Sequence, residues 1–183
     1  TLDLLNIITF VRVGDHNPNV IKRLMDMGAH GIIASTVSSK CDAKNIVEAV
    51  KYPPEGSRGV GLSKAQGYGY DFENYCDWLR NESIVICQIE NSLGLDNMED
   101  IARVEGVNGI FVGPYDLSCS LGVPGDFSNP KMVSAMARVT NIKVNKPFAI
   151  GIHVVKPDPN DIVEKVKMGF NMIAYGIDYL FTI

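Results

Sequence analysis

The sequence predicts an α/β fold built on a parallel sheet, and three observations carry that prediction. Short apolar or β-branched runs recur along the 183 residues, too continuous for strands with one wet face. Between them lie segments whose apolar residues follow helical spacing. Glycine, proline and asparagine punctuate the boundaries. Strands buried on both faces and alternating with helices imply right-handed crossovers between parallel neighbours. An open doubly wound sheet and a (β/α)₈ barrel both satisfy this pattern, and periodicity does not choose between them.

Taken in order, Ile7 to Val13 reads as the first strand, and Asn17-Pro18 opens a helix with Val20, Ile21, Leu24 and Met25 on one face and Gly28 at its end. Gly31 to Ser35 is the second strand. A helix through Ala43, Ile46, Val47 and Val50 stops at Pro53-Pro54. Residues 55–70 form a long glycine-rich stretch, Phe72 to Leu79 a helix, and Ile84 to Glu90 the third strand. A helix is expected near Asn97 to Val104, then a fourth strand, Gly109 to Val112. A helix from Pro130 to Val144 and a fifth strand, Phe148 to Ile152, follow. The last unit is a helix with Ile162, Val163 and Val166 inward, leading to a sixth strand, Met172 to Gly176. The methionines at 25, 27, 132 and 168 fall at helical spacing and read as core.

Composition narrows the function. A 46% hydrophobic, 21% charged chain is an ordinary globular mix. No apolar run approaches the roughly 20 residues that span a bilayer, and the first residues lack the regions of a signal peptide. The expectation is a cytoplasmic protein with no membrane partner. A net charge of -4, with acids and bases interspersed, offers no basic stripe for nucleic acid. Cys41, Cys76, Cys87 and Cys119 show no metal spacing and read as reduced, mostly buried thiols.

In either parallel architecture, chemistry collects at the carboxyl ends of the strands. Those ends carry Arg12, Ser35-Thr36, Gln88 with Glu90, Gly113 to Asp116, His153, and Gly176 with Asp178. Glu90 and Asp116, one crossover apart, make a small site of hard oxygen donors suited to Mg²⁺ or Mn²⁺. The plain alternative is a helix-capping or lysine-paired carboxylate. Arg12 closes an apolar strand, where an unpaired guanidinium is costly; it is either a structural ion pair or a group for a developing oxyanion. In GPYDLS the glycine admits a ligand to the backbone and Asp116 starts a helix whose free N–H groups favour an anion. The stretch 59-GVGLSKAQGYG-69 matches no nucleotide motif and reads as an active-site loop. His16, His30 and His153 show no ligand spacing, and His30 is read as structural.

The string 105-EGVNGIFVGPYDLSCSLG-122, with 88-QIEN-91 and 52-YPPEGSRGVG-61 before it, closely resembles the HpcH/HpaI family of metal-dependent class II pyruvate aldolases. Further matches at Phe10 to Val13, 27-MGAHGII-33 and 174-AYGID-178 extend the resemblance over nearly the whole chain. It implies a (β/α)₈ TIM barrel of the phosphoenolpyruvate/pyruvate superfamily, residues 1–183 forming one partial barrel domain. It implies a carbon–carbon lyase that cleaves or forms a 4-hydroxy-2-oxo acid or a 2-keto-3-deoxy sugar acid, giving pyruvate and an aldehyde through a metal-stabilised enolate. Glu90 and Asp116 would hold the divalent metal (Mg²⁺ or Mn²⁺, with Co²⁺ a further option) and Arg12 would steady the enolate oxygen. Gln88 would lie beside the site, with Gly113, Pro114, Tyr115 and Asp116 binding the pyruvate carboxylate. A homo-oligomer is implied as well.

Three departures from the pattern stand out. Tyr115 occupies a position where the family usually has serine or alanine. Six strands are read where the barrel needs eight, and the family's Glu-His pair, whose histidine assists proton transfer, would precede Thr1. The expectation is the retained part of a longer aldolase; the alternatives are a truncated paralogue that binds pyruvate-like acids or a partner, and a malyl- or citramalyl-CoA type lyase.

Overall fold

The structure, a computed structural model, describes residues 5–182. Six parallel strands pair in chain order, from β1 (Phe10–Val13), β2 (Gly31–Ala34) and β3 (Ile84–Ile89) to β4 (Gly109–Val112), β5 (Ala149–Val154) and β6 (Met172–Tyr175), and curl into a half-barrel. Among the described residues the sheet does not close: β1 pairs with β2 and β6 with β5 only. The helices are α1 (Pro18–Asp26), α2 (Lys40–Val50), α3 (Phe72–Asn81), α4 (Ser92–Asp96), α5 (Met98–Ala102), α6 (Pro114–Ser120), α7 (Pro130–Thr140) and α8 (Pro159–Met168). Side-chain caps start several of them. Asn17 Oδ1 accepts from Asn19 N at 2.9 Å with Pro18 in the first turn, and Ser39 Oγ accepts from Asp42 N at 3.1 Å.

Strand alternation gives the sheet two faces with different content. Val13, Ile32, Ala34, Val85, Cys87, Ile89, Ile110, Val112 and Ile152 point to the helices and join Ile21, Met25, Ile46, Ile101 and Val139 in the main core. The opposite residues line the inner side of the curl. There glycines alternate with large side chains: a Cβ on Gly31 would come within 2.7 Å of the Phe10 ring, and one on Gly151 would strike Phe111. Ile86 and Phe111 are buried on this inner face, outside the main cluster. A narrow interior is thus filled from one strand across its glycine-bearing neighbour.

The expected elements are present with shifted bounds. The first strand starts at Phe10, not Ile7, because its partner β2 begins at Gly31 opposite Phe10. The expected helix at 97–104 is the shorter α5, and a short helix that was not expected, α4, precedes it; the two are parted at Asn97, whose side-chain amide donates to Ser38 O at 2.8 Å. Met25 and Met132 are buried, whereas Met27 and Met168 are exposed. No described side chain of α8 is buried, and Val163 and Val166 face outward at 53% and 56% exposure. This helix serves the edge strand β6, so its apolar stripe meets little of the sheet.

The glycine-rich stretch does not approach the rim as an active-site loop of this chain. It folds into the helix layer, ending in a 3-10 turn at Lys64–Gly69. Arg58 donates from Nη1 to Asp26 Oδ1 of α1 at 2.8 Å and from Nη2 to Tyr75 Oη of α3 at 2.7 Å, and lies 4.2 Å over the Tyr52 ring. The fully buried Gln66 donates to Tyr52 Oη at 2.9 Å and to Asp26 Oδ1 at 3.2 Å, while its own Oε1 accepts from Ser63 N. The chain in this stretch is therefore pinned by a buried ion pair and its hydrogen bonds.

Of the four free cysteines only Cys87 is buried; Cys41 and Cys119 are exposed and Cys76 is half-buried, which corrects the expectation of mostly buried thiols. Two measurements check these readings. Asp26→Asn leaves the Arg58 guanidinium buried without a matching charge and should lower unfolding stability by about 3–5 kcal/mol in urea. A loss under 1 kcal/mol would show that the pair does not pin the loop. Burial pushes the Cys87 thiol up to about 12. Iodoacetamide at neutral pH should therefore label Cys41 and Cys119 in the native protein and reach Cys87 only after denaturation, as read by peptide mass.

Candidate active site

The inner face converges on the carboxyl end of β3. Gln88 lies opposite Phe111 in the β3–β4 register, and Glu90, two residues on, projects from the same face just past the last strand residue. Arg12 lies opposite Ile33, and Ile33 opposite Ile86, so its side chain shares that face from two strands away. It reaches across β2. Its Nε donates to Gln88 Oε1 at 2.9 Å and its Nη2 contacts Glu90 Oε1 at 3.3 Å.

Glu90 is only 7% exposed, and burying a carboxylate is costly unless each oxygen is matched. Here both are. Oε1 takes Arg12, and Oε2 accepts from both Thr36 N and Thr36 Oγ1 at 2.8 Å. Space for the carboxylate comes from Gly113: a Cβ there would lie 2.9 Å from Glu90 Cγ, 3.0 Å from Oε1 and 3.2 Å from Gln88 Nε2. Gly113 N donates to Ile89 O at 3.1 Å, continuing the β3–β4 ladder by one step. Glycine is needed at this strand end because a side chain would occupy the place of the carboxylate.

Gly113 is also the N-cap residue of α6, which begins at Pro114, so Asp116 stands in the first turn and does not cap the helix. The Asp116 carboxylate is exposed and makes no hydrogen bond or ion pair among the described residues. The lysine-paired or capping alternative therefore does not describe it. Pro114 has no N–H and that of Gly113 is used, so the free donors of this turn are those of Tyr115 and Asp116. The Tyr115 ring is exposed and packs edge-on against Phe127, with centroids 5.0 Å apart. The two residues also line a cleft of about 570 Å³ that extends past His153 and Met136 toward Lys156.

The remaining rim residues divide. His16 Nε2 donates to Ser35 O at 2.7 Å, and Ser35 Oγ is buried with no partner among the described residues. His153 Nε2 donates to Gly176 O at 3.1 Å, and Asp178 Oδ1 accepts from its neighbour Tyr179 N; neither joins Glu90. His30 Nδ1 accepts from Thr9 N at 3.1 Å and its ring meets Trp78 edge-on, a structural role as read from sequence. No group of three or more His, Cys, Asp and Glu side chains poised for a metal occurs among the described residues. Sequence reasoning placed Thr36 at the rim but missed its bonds to Glu90. No local signal announces them, since they depend on a backbone reversal after β2.

Over residues 2–183 the chain matches the HpcH/HpaI aldolase/citrate lyase family. It is 38% identical over 171 residues to a 5-keto-4-deoxy-D-glucarate aldolase of Escherichia fergusonii, covering 92% of this chain and 65% of that one. A hydroxypyruvate/pyruvate aldolase of Chromohalobacter salexigens is 38% identical over 170 residues, with 92% and 66% covered. A crystal structure of an HpcH/HpaI aldolase/citrate lyase family protein from Burkholderia cenocepacia superposes with a TM-score of 0.86 at 31% identity, covering 94% of this chain and 68% of that one. The chain belongs to the HpcH/HpaI aldolase/citrate lyase family. It spans about 65% of the length of these curated relatives.

Gly113→Ala puts a methyl group into the Glu90 carboxylate and should lower stability by about 1–3 kcal/mol, read from the urea midpoint. A neutral substitution would mean that Glu90 has room to move away.

Proposed function

We propose that this chain is the catalytic part of a metal-dependent pyruvate aldolase, a (β/α)₈ barrel of the phosphoenolpyruvate/pyruvate superfamily with residues 1–183 supplying six strands of one domain. The observation that carries the reading is the joining of Arg12, Gln88 and Glu90 on one rim, beside a glycine that leaves them space. Relatives named as aldolases for 5-keto-4-deoxy-D-glucarate and for hydroxypyruvate and pyruvate support it. The substrate class is a 4-hydroxy-2-oxo acid or a 2-keto-3-deoxy sugar acid, cleaved to pyruvate and an aldehyde. We place the protein in the cytoplasm as a homo-oligomer.

The residues fit a divalent cation. Glu90, just past β3, and the exposed, unbonded Asp116, in the first turn of α6 after β4, offer only carboxylate oxygens, a donor set that suits Mg²⁺ or Mn²⁺, with Co²⁺ a further option, and leaves positions for substrate and water. When bound, the cation supplies Lewis-acid stabilisation of the charge that develops on the keto oxygen. The protein's own groups do the rest. Arg12, with its side chain 57% exposed and its Nε fixed by Gln88, presents a planar fork toward the oxygen of the nascent enolate. Gln88 orients that fork. The free N–H groups of Tyr115 and Asp116, at the positive end of α6, receive the pyruvate carboxylate, with Gly113 and Pro114 shaping the approach. Tyr115, held edge-on against Phe127, walls the side from which the aldehyde departs.

Retro-aldol cleavage of a 4-hydroxy-2-oxo acid, followed by pyruvate release with added Mn²⁺, tests the reading. Glu90→Gln, Asp116→Asn and Arg12→Lys should each lower kcat/KM by about 100-fold or more, and chelation should abolish turnover. Normal turnover of Glu90→Gln at saturating Mn²⁺ would remove the metal assignment, and normal turnover of Arg12→Lys would remove the enolate role.

A further inference from the structure

Thr36 stands in the left-handed region at φ +53°, a conformation that a β-branched residue adopts at a cost and that persists only where the surroundings impose it. What imposes it here lies on both sides of one peptide unit. The Ser35 carbonyl accepts from His16 Nε2 at 2.7 Å, while the N–H of the same peptide, belonging to Thr36, donates to Glu90 Oε2 at 2.8 Å. A carbonyl can only accept, so His16 carries its proton on Nε2. The imidazole, the peptide and the carboxylate thus form a continuous chain in which each hydrogen bond polarises the next. The left-handed turn then swings the Thr36 hydroxyl back onto the same oxygen, also at 2.8 Å.

The consequence is asymmetric for Glu90. Oε2 is saturated by two short bonds from one residue, whereas Oε1 has a single long contact, 3.3 Å, with the far end of an exposed arginine. We infer that Thr36, held in its strained turn by His16, is a positioning residue that locks the Glu90 carboxylate so that Oε1 is the oxygen presented to a divalent cation. This rests on the metal-dependent reading proposed above. The strain has a purpose on this account: rotation about φ moves Cβ and its hydroxyl relative to the Thr36 N–H, and the left-handed value is the one at which both meet Oε2.

The test measures Mn²⁺ binding directly, by electron paramagnetic resonance of free Mn²⁺, on the whole chain without substrate. Thr36→Val keeps the shape and the N–H but discards the hydroxyl; its Mn²⁺ affinity should fall by about 10- to 100-fold, the usual effect of losing a partner that orients a ligand. Thr36→Ser restores the hydroxyl and should bind within about threefold of wild type, a rescue that a purely steric role for the threonine methyl would not produce. Thr36→Gly, at ease in left-handed backbone, should lose affinity as the valine variant does, and it replaces that variant if valine prevents folding. Wild-type affinity in the valine or glycine variant overturns the inference, as does weak binding by the serine variant. Wild-type protein that binds no Mn²⁺ overturns the metal reading itself, and this inference with it.

Discussion

The rim depends on one buried carboxylate. Glu90 sits at the end of β3, nearly shielded from water, and an unmatched charge there would cost several kcal/mol. Its acceptance of Arg12 from two strands away and of Thr36 from the neighbouring turn is what ties β1, β2 and β3 together at their carboxyl ends. Gly113 brings β4 into the same group by leaving the carboxylate its space. Four strands therefore meet through a single side chain, and the positions of Arg12 and Thr36 follow from how that charge is satisfied.

The two faces of the sheet divide the work. The helix-facing side chains form the main apolar core, and burial of side chains such as Ile32, Ile89 and Ile110 supplies the rigidity that a precise site requires. The inner face is sparser, with Phe10, Phe111 and Ile86 laid across glycines. Above that apolar floor the polar residues are confined to one end. A low-dielectric floor strengthens the bonds of the buried Gln88 and Glu90 to Arg12, while Asp116 and Tyr115 stay exposed at the same end.

A second buried charge, the Asp26–Arg58 pair, does a different job. It lies in the helix layer, where Gln66, Tyr52 and Tyr75 complete its hydrogen bonds and hold residues 52–71 against α1 and α3. Both clusters are polar and enclosed, yet the one at Glu90 combines satisfied bonds with exposed neighbours, Asp116 and Tyr115. Polarity alone is a poor guide to a site; what separates the two is the presence of groups left open to solvent.

Much of this protein was legible in its sequence. Apolar runs alternating with helical spacing determined six parallel strands, because burial on both faces and a right-handed crossover admit few other arrangements, whereas their sequential order, which sets a curled sheet apart from a doubly wound one, was read from the structure. The motifs GPYDLS and QIEN located the rim, since the carboxyl ends of parallel strands share one edge of the sheet and both motifs follow apolar runs. The fate of 59–69 was not legible: glycines signal permitted backbone, not destination, and it took the Asp26–Arg58 pair to draw that stretch into the helix layer. Nor was the outward turn of Val163 and Val166, which follows from the edge position of β6. Only the tertiary structure decided that Arg12 reaches Glu90 across an intervening strand and that Thr36 turns left-handed to meet the same carboxylate. Residues 54 and 78 positions apart in the chain share no local pattern, and the register of the sheet alone brings them together.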